Sequence, residues 1–140
     1  MRKIILRGKP VIEGIVEGEA IVTKQRLNFL HDINKETGEI ILEGHELYGK
    51  SVKDKILVLP SGVGTVGLST ILYTLIKNGI GPKGLISQEL ETSLTFGAIL
   101  ANIPMVAQLD RNPVEVIETG DLVKINGSRG IVEIIKKEDK

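Results

Sequence analysis

Apolar positions in this chain come in short runs, and their spacing changes along it. From Val11 to Thr23 they alternate loosely with polar residues, interrupted by Gly14 and Gly18. That pattern predicts strand, bend, strand, with the glycines at bulges or close backbone approaches. Asp32 to Glu39 is polar turn chemistry around Gly38, and Ile40 to Leu42 reads as a short strand. Gly44 to Asp54 is polar and irregular, a stretch suited to covering something. Lys55 to Leu59 is almost continuously apolar, the mark of a strand buried on both faces.

Beyond Leu59 the period lengthens. Ser69 to Lys77 places Ile71, Leu72, Leu75 and Ile76 on one helical stripe, and Asn78-Gly79 is a helix stop. Gly84 to Ser87 predicts another short strand. Thr92 to Ala101 predicts a second helix, with Leu94, Ala98, Ile99 and Ala101 apolar. Ile103 to Ala107 predicts a third buried strand, entered through Pro104. Gly120 to Asn126 and Gly130 to Ile135 read as a hairpin-like pair around Gly127-Ser128-Arg129. The charged tail, 136–140, is expected to be loose. The order is strands, then strand–helix–strand–helix–strand, then strands. It predicts an α/β fold: central, mostly parallel strands with two helices, flanked by antiparallel strands.

Composition narrows the function classes. The chain has 140 residues, of which 41% are hydrophobic, enough for the core of one compact domain. Its formal net charge is zero, and aromatic residues are only 3%. Nucleic-acid binding, which wants a basic face and stacking platforms, is disfavoured. There is no cysteine, so this chain alone offers no thiolate for zinc or an iron–sulfur cluster. The basic and apolar opening residues are too few for a signal-peptide core, and no apolar run reaches membrane-span length. These features lead us to expect a cytoplasmic protein that does not enter a membrane.

The richest chemistry lies in Ile56 to Ser69, I-L-V-L-P-S-G-V-G-T-V-G-L-S. A buried strand ends at Pro60-Ser61, a glycine-rich turn carries Gly62, Gly64 and Gly67, and a helix follows. Unpaired amides at a helix start suit an anion, and glycines let a ligand approach the main chain. Ser61 is therefore a candidate reactive oxygen, with Gly62, Gly64, Thr65 and Ser69 as candidate ligand contacts. A plain Gly/Ser turn with Ser61 or Ser69 as a cap fits the same residues. The loop is not a Walker A sequence, because no lysine follows its last glycine, and it lacks the dinucleotide-binding spacing.

The remaining candidates are weaker. His31 and His45 neighbour Asp32 and Glu46 in polar turns, where surface histidines are expected, and metal-ligand spacing is missing. Glu89 and Glu91 fit equally well as crevice residues or as acids complementing a helix dipole. Arg129 reads as a solvated turn residue. A serine is a poor nucleophile without a base beside it, so a catalytic Ser61 needs activation from elsewhere, economically from a metal on a partner chain.

The segments G-I-V-E-G-E-A-I-V-T, L-N-F-L, E-T-G-E-I-I, G-H-E-L-Y-G-K-S-V, K-I-L-V-L-P-S-G-V-G, G-A-I-L-A-N-I-P-M-V and G-D-L-V-K-I-N-G together resemble the small subunit of the aconitase X family. The resemblance runs from about residue 11 to residue 135. It implies that residues 1–140 form a swivelling β/β/α domain like the mobile domain of aconitases. It implies partnership with a large catalytic subunit that carries an iron–sulfur cluster, as in archaeal members. It also implies a hydro-lyase that dehydrates (R)-5-phosphomevalonate, a small phosphorylated hydroxy acid, to trans-anhydromevalonate 5-phosphate in isoprenoid synthesis. The family's proton-accepting serine in L-P-S-G falls on Ser61. Val63 stands where members often carry a basic residue, which removes one anion contact. A related dehydratase of cis-3-hydroxyproline, or a non-catalytic mobile or interaction domain, are the alternatives on the same scaffold.

Overall fold

The structure, a computed structural model, describes residues 2–25, 31–60 and 68–137. Eight strands form β1 (Lys3–Arg7), β2 (Lys9–Ile12), β3 (Ile15–Val22), β4 (Ile56–Leu59), β5 (Gly84–Ser87), β6 (Met105–Ala107), β7 (Leu122–Asn126) and β8 (Ile131–Ile135). Three helices are α1 (Leu68–Lys77), α2 (Thr92–Ala101) and the four-residue α3 (Pro113–Val116). The strand order is β1-β8-β7-β3-β4-β5-β6-β2. Strands β3, β4, β5 and β6 run parallel, while β1, β8 and β7 on one side and β2 on the other are antiparallel to their neighbours.

The two outermost strands, β1 and β2, are consecutive in the chain and separated by Gly8 alone. The sheet therefore curls until its ends meet. Gly8 donates its N–H to the Gly130 carbonyl at 2.8 Å, and a Cβ there would lie 2.7 Å from the Ala107 carbonyl oxygen. Only glycine fits that crossing without moving backbone.

Period-two alternation then divides the core. Ile56 and Val58 of β4, Ala20 and Val22 of β3, Ile86 of β5 and Val106 of β6 point into the curl, where they meet Val123, Ile125, Val132 and Ile134 from the antiparallel strands. Leu57 and Leu59, Ile21, Leu85, Met105 and Ala107 point the other way, onto Leu72 and Leu75 of α1 and Leu94 and Ala98 of α2. The result is three layers: antiparallel sheet, parallel sheet, helices. Four parallel strands covered on both faces explain why their sequences read as apolar runs.

The predicted core elements stand close to where spacing put them: α2 and β5 match residue for residue, and α1 begins at Leu68. Its stop is a Schellman motif at Asn78-Gly79, with Gly79 at φ +78° and the Ile80 and Gly79 amides returning to the Leu75 and Ile76 carbonyls. Three corrections follow. The strand expected at Ile40 to Leu42 is only an isolated bridge, Ile33 to Ile40, inside a looping excursion over residues 31–54. That excursion buries Ile33, Ile40, Leu47 and Val52 against the helical side of the core. Strand β1 and helix α3 carry no clear periodicity and were not anticipated.

The third correction concerns the tail. Lys136 is only 8% exposed and pairs with the fully buried Asp121, Nζ to Oδ2 at 2.6 Å. The Lys136 ammonium also donates to the Val116 carbonyl and meets Glu118 at 3.2 Å. Amides of Glu118 and Lys137 donate to the same Asp121 carboxylate. Residues 136 and 137 are thus pinned rather than loose, while 138–140 lie outside the described residues. Burial pushes the Asp121 carboxyl up, but the Lys136 hydrogen bond, the two amides and the ammonium charge outweigh it and hold the carboxyl below its ordinary 3.8.

Because that value is lowered on folding, the pair's contribution is complete above the unfolded carboxylate range and is lost as pH falls through the folded value. Urea denaturation from about pH 6 down to about pH 3 should show a stability loss that Asp121→Asn flattens. At neutral pH, Asp121→Ala should cost about 3 kcal/mol, since it strands a buried ammonium and two amides.

Candidate functional site at the carboxyl edge

In a parallel sheet, every strand delivers its following loop to one edge. Here β3, β4, β5 and β6 all end on the same side, and α1 and α2 start there. Two ten-residue helices begin at this carboxyl edge; the first amides of α2 are taken up by the Glu91 carboxylate. The opposite edge receives the C-termini of the same helices. It does contain a cavity of about 730 Å³, lined by Glu13, Asp54, Gly79, Lys83, Asn102 and their neighbours. Its size does not decide the site, because the strand-to-helix connections of the parallel sheet open at the other edge.

Main-chain bonds brace the carboxyl edge. The Gln88 amide donates to the Leu59 carbonyl at 3.2 Å, and the Glu89 amide to the Pro60 carbonyl at 2.9 Å. The Gln108 amide, at a residue with φ +51°, reaches the carbonyls of both Ser87 and Gln88. The chain is therefore fixed up to Pro60. It is fixed again at Ser69, whose hydroxyl donates to the Ser93 carbonyl at 2.8 Å. Ser61, Gly62, Gly64 and Thr65 fall between these anchors and lie outside the described residues. Ser69 sits inside the first turn of α1, and its hydroxyl proton is spent on joining α1 to α2.

The two helices approach closely at that point. A Cβ on Gly97 of α2 would lie 2.9 Å from Leu72 Cδ2 and 3.2 Å from Ser69 Cα. Glu91 is the N-cap of α2, accepting from the Ser93 amide at 2.6 Å and the Leu94 amide at 3.2 Å. Of the two readings open for it, the capping role is the one adopted. Glu89 is exposed on the same edge.

His45 corrects the expectation of a surface histidine. It is 6% exposed, its Nδ1 accepts from the Leu47 amide at 3.0 Å, and its Nε2 faces Thr23 Oγ1 at 3.4 Å. Nδ1 as acceptor places the proton of the neutral ring on Nε2. The ring thus ties the 31–54 excursion to the end of β3. His31 and Arg129 are exposed, as expected.

Spacing did not reveal Gln88. Its Oε1 is buried at the end of β5 with no hydrogen-bond partner among the described residues, an acceptor kept at the braced edge. Its place directly after a buried strand was the available signal. Lys24, exposed just past β3 and bonded through its amide to Glu46, brings a cation to the same edge. Among the described residues no group of three or more His, Asp or Glu side chains is arranged to hold a metal, and the chain has no cysteine. This chain therefore does not fit a resident iron–sulfur cluster. No described helix is long and apolar enough to cross a membrane.

Three layers, a parallel sheet braced at its carboxyl edge, and a glycine-rich connection from β4 to α1 define a swivelling β/β/α domain. The chain belongs to the aconitase X swivel domain family, which it matches over residues 5–134. It is 40% identical over 136 residues to the phosphomevalonate dehydratase small subunit of Methanosarcina acetivorans, spanning 97% of this chain and 94% of that protein. It is 44% identical over 130 residues to the protein of the same name from Pyrococcus abyssi, spanning 93% and 98%. The crystal structure of holo-form aconitase X from Thermococcus kodakaraensis superposes with a TM-score of 0.88 at 38% identity, covering 95% of this chain and 99% of that one.

Removing the α2 cap should loosen the edge without unfolding the domain. Glu91→Ala leaves two helix amides unpaired and should cost about 1 kcal/mol, read from the denaturation midpoint, with Glu91→Asp losing less.

Proposed function

We propose that this chain is the small subunit of a hydro-lyase that converts (R)-5-phosphomevalonate to trans-anhydromevalonate 5-phosphate. The observation that carries this reading is near-full-length similarity, at 40% and 44% identity, to archaeal proteins named for that activity. A large catalytic subunit is the partner, and it holds the iron–sulfur cluster for which this chain has no thiolates. The assembly works in the cytoplasm, with residues 1–140 moving as one swivelling unit.

Ser61 is the proton acceptor on this reading. Elimination of water from a β-hydroxy acid needs a base beside the carbon next to the carboxylate. The Ser61 oxygen, held as alkoxide among loop amides, takes a C2 proton. The C2–H electron pair becomes the C2=C3 double bond, and the C3 hydroxyl departs. That proton and the departing hydroxide together account for the water lost. Gly62, Gly64 and Thr65 supply main-chain and hydroxyl contacts to the substrate's anionic groups, and Ser69, whose proton goes to the Ser93 carbonyl, accepts from the substrate's hydroxyl. The N-terminus of α1, with no acidic residue in its first turn, favours an anionic group of the substrate electrostatically. Closing the swivel against the large subunit excludes water from the reacting centre.

Co-expression with the large subunit should yield 5-phosphomevalonate dehydration and no turnover of cis-3-hydroxyproline. Ser61→Ala should still assemble but lose about a hundredfold or more in kcat. Wild-type turnover by the Ser61→Ala complex would remove Ser61 from the mechanism.

A further inference from the structure

We propose that the outer face of α2, together with Leu90, is the surface on which the large subunit docks. This inference rests on the small-subunit reading above. Helix α2 carries no charged residue on any side. Leu94 and Ala98 face the core, yet Phe96 and Ile99 are each 53% exposed, Leu100 46% and Leu90 39%. The outward face of α1 differs: there Thr70, Thr74 and Lys77 meet solvent. From Thr92 to Leu109 no residue is charged, in a chain where 26% of residues are. A helix without a charged residue on any side calls for cover on every side.

The exposed face is also shaped. Leu90, Thr92, Thr95, Phe96 and Ile99 line a hollow of about 310 Å³ without a charged side chain. An uncharged hollow bounded by an aromatic ring and two branched aliphatic side chains fits an inserted apolar side chain from a protein partner.

Two observations choose the large subunit over a second copy. The four side chains expose on the order of 300–400 Å², well short of the roughly 800 Å² per partner that a stable interface buries. The patch is thus part of a wider contact. It is also continuous with the carboxyl edge, since Glu89 is bonded to the Pro60 carbonyl beside it. On the far side of β4, a second apolar group, Ile41, Leu42 and Tyr48, is exposed on the excursion tied to the end of β3. A partner that spans the carboxyl edge meets both.

The test titrates full-length small subunit against its co-expressed and separated large subunit. Phe96→Asp/Ile99→Asp should weaken the complex at least tenfold, with an unchanged circular dichroism spectrum of the free chain. Thr70→Asp/Thr74→Asp, on the outer face of α1, should bind like wild type. The methyl resonance of Ile99 in the otherwise unaltered chain should shift on adding the large subunit, a reading independent of any variant's folding. Wild-type affinity of the Phe96/Ile99 variant, or an unmoved Ile99 methyl in a complex that forms, would overturn the docking surface. So would a homodimer that this variant abolishes while large-subunit binding persists. Failure of the wild-type chain to bind a large subunit at all would instead overturn the small-subunit reading.

Discussion

Strand β3 has to serve two sheets at once, and the remainder of the molecule is arranged around that demand. Its first residues, 15–19, pair antiparallel with β7, and residues 20–22 pair parallel with β4. At the changeover, one side of β3 would lose its hydrogen-bond partners where β7 gives out. The 119–121 turn supplies them: Ala20 donates to the Asp121 carbonyl, Gly120 to the Ala20 carbonyl, and Val22 to the Thr119 hydroxyl. That turn is held by the Asp121 carboxylate and Lys136 beneath it. A buried ion pair is seldom worth much as net stability. Here it fixes geometry, because it sets where the antiparallel layer hands over to the parallel one.

Once β3 is fixed, the polarity of the domain follows. Strands β4, β5 and β6 align parallel to it, so their loops gather at one edge and both long helices begin there. The two edges then differ electrostatically although the chain carries no net charge. The carboxyl edge gathers the starts of both long helices, with Glu91 capping α2, and the amino edge gathers their C-termini beside Glu13, Asp54 and Lys83.

The same edge is braced and, on its own, incomplete. Main-chain bonds anchor the chain at Leu59 and Pro60, and a hydroxyl anchors it at Ser69. The neighbouring surface is apolar, and the chain has no thiolate for a cluster.

How much was readable from residues alone depended on range. The helices and the buried parallel strands were legible because their signals are local: the stripe Ile71, Leu72, Leu75, Ile76, the stop at Asn78-Gly79, and the apolar runs of β4 and β5. The L-P-S-G turn was open from its residues to a plain capped turn as well as to a ligand site, and its residues lie outside those described. By contrast, β1 is a strand only because β8 lies beside it, and Ile40 to Leu42 is not one because no second strand arrives to pair with it. His45 and Lys136 read as solvated from their polar neighbours. Both are buried because Thr23 and Asp121, distant in sequence, come to meet them. The sequence by itself determined the two long helices, the buried parallel strands and their order, all governed by neighbouring residues. Tertiary structure alone decided which strand ends share an edge, which charges are buried and which face of α2 is left bare, because those depend on contacts between residues far apart in the chain.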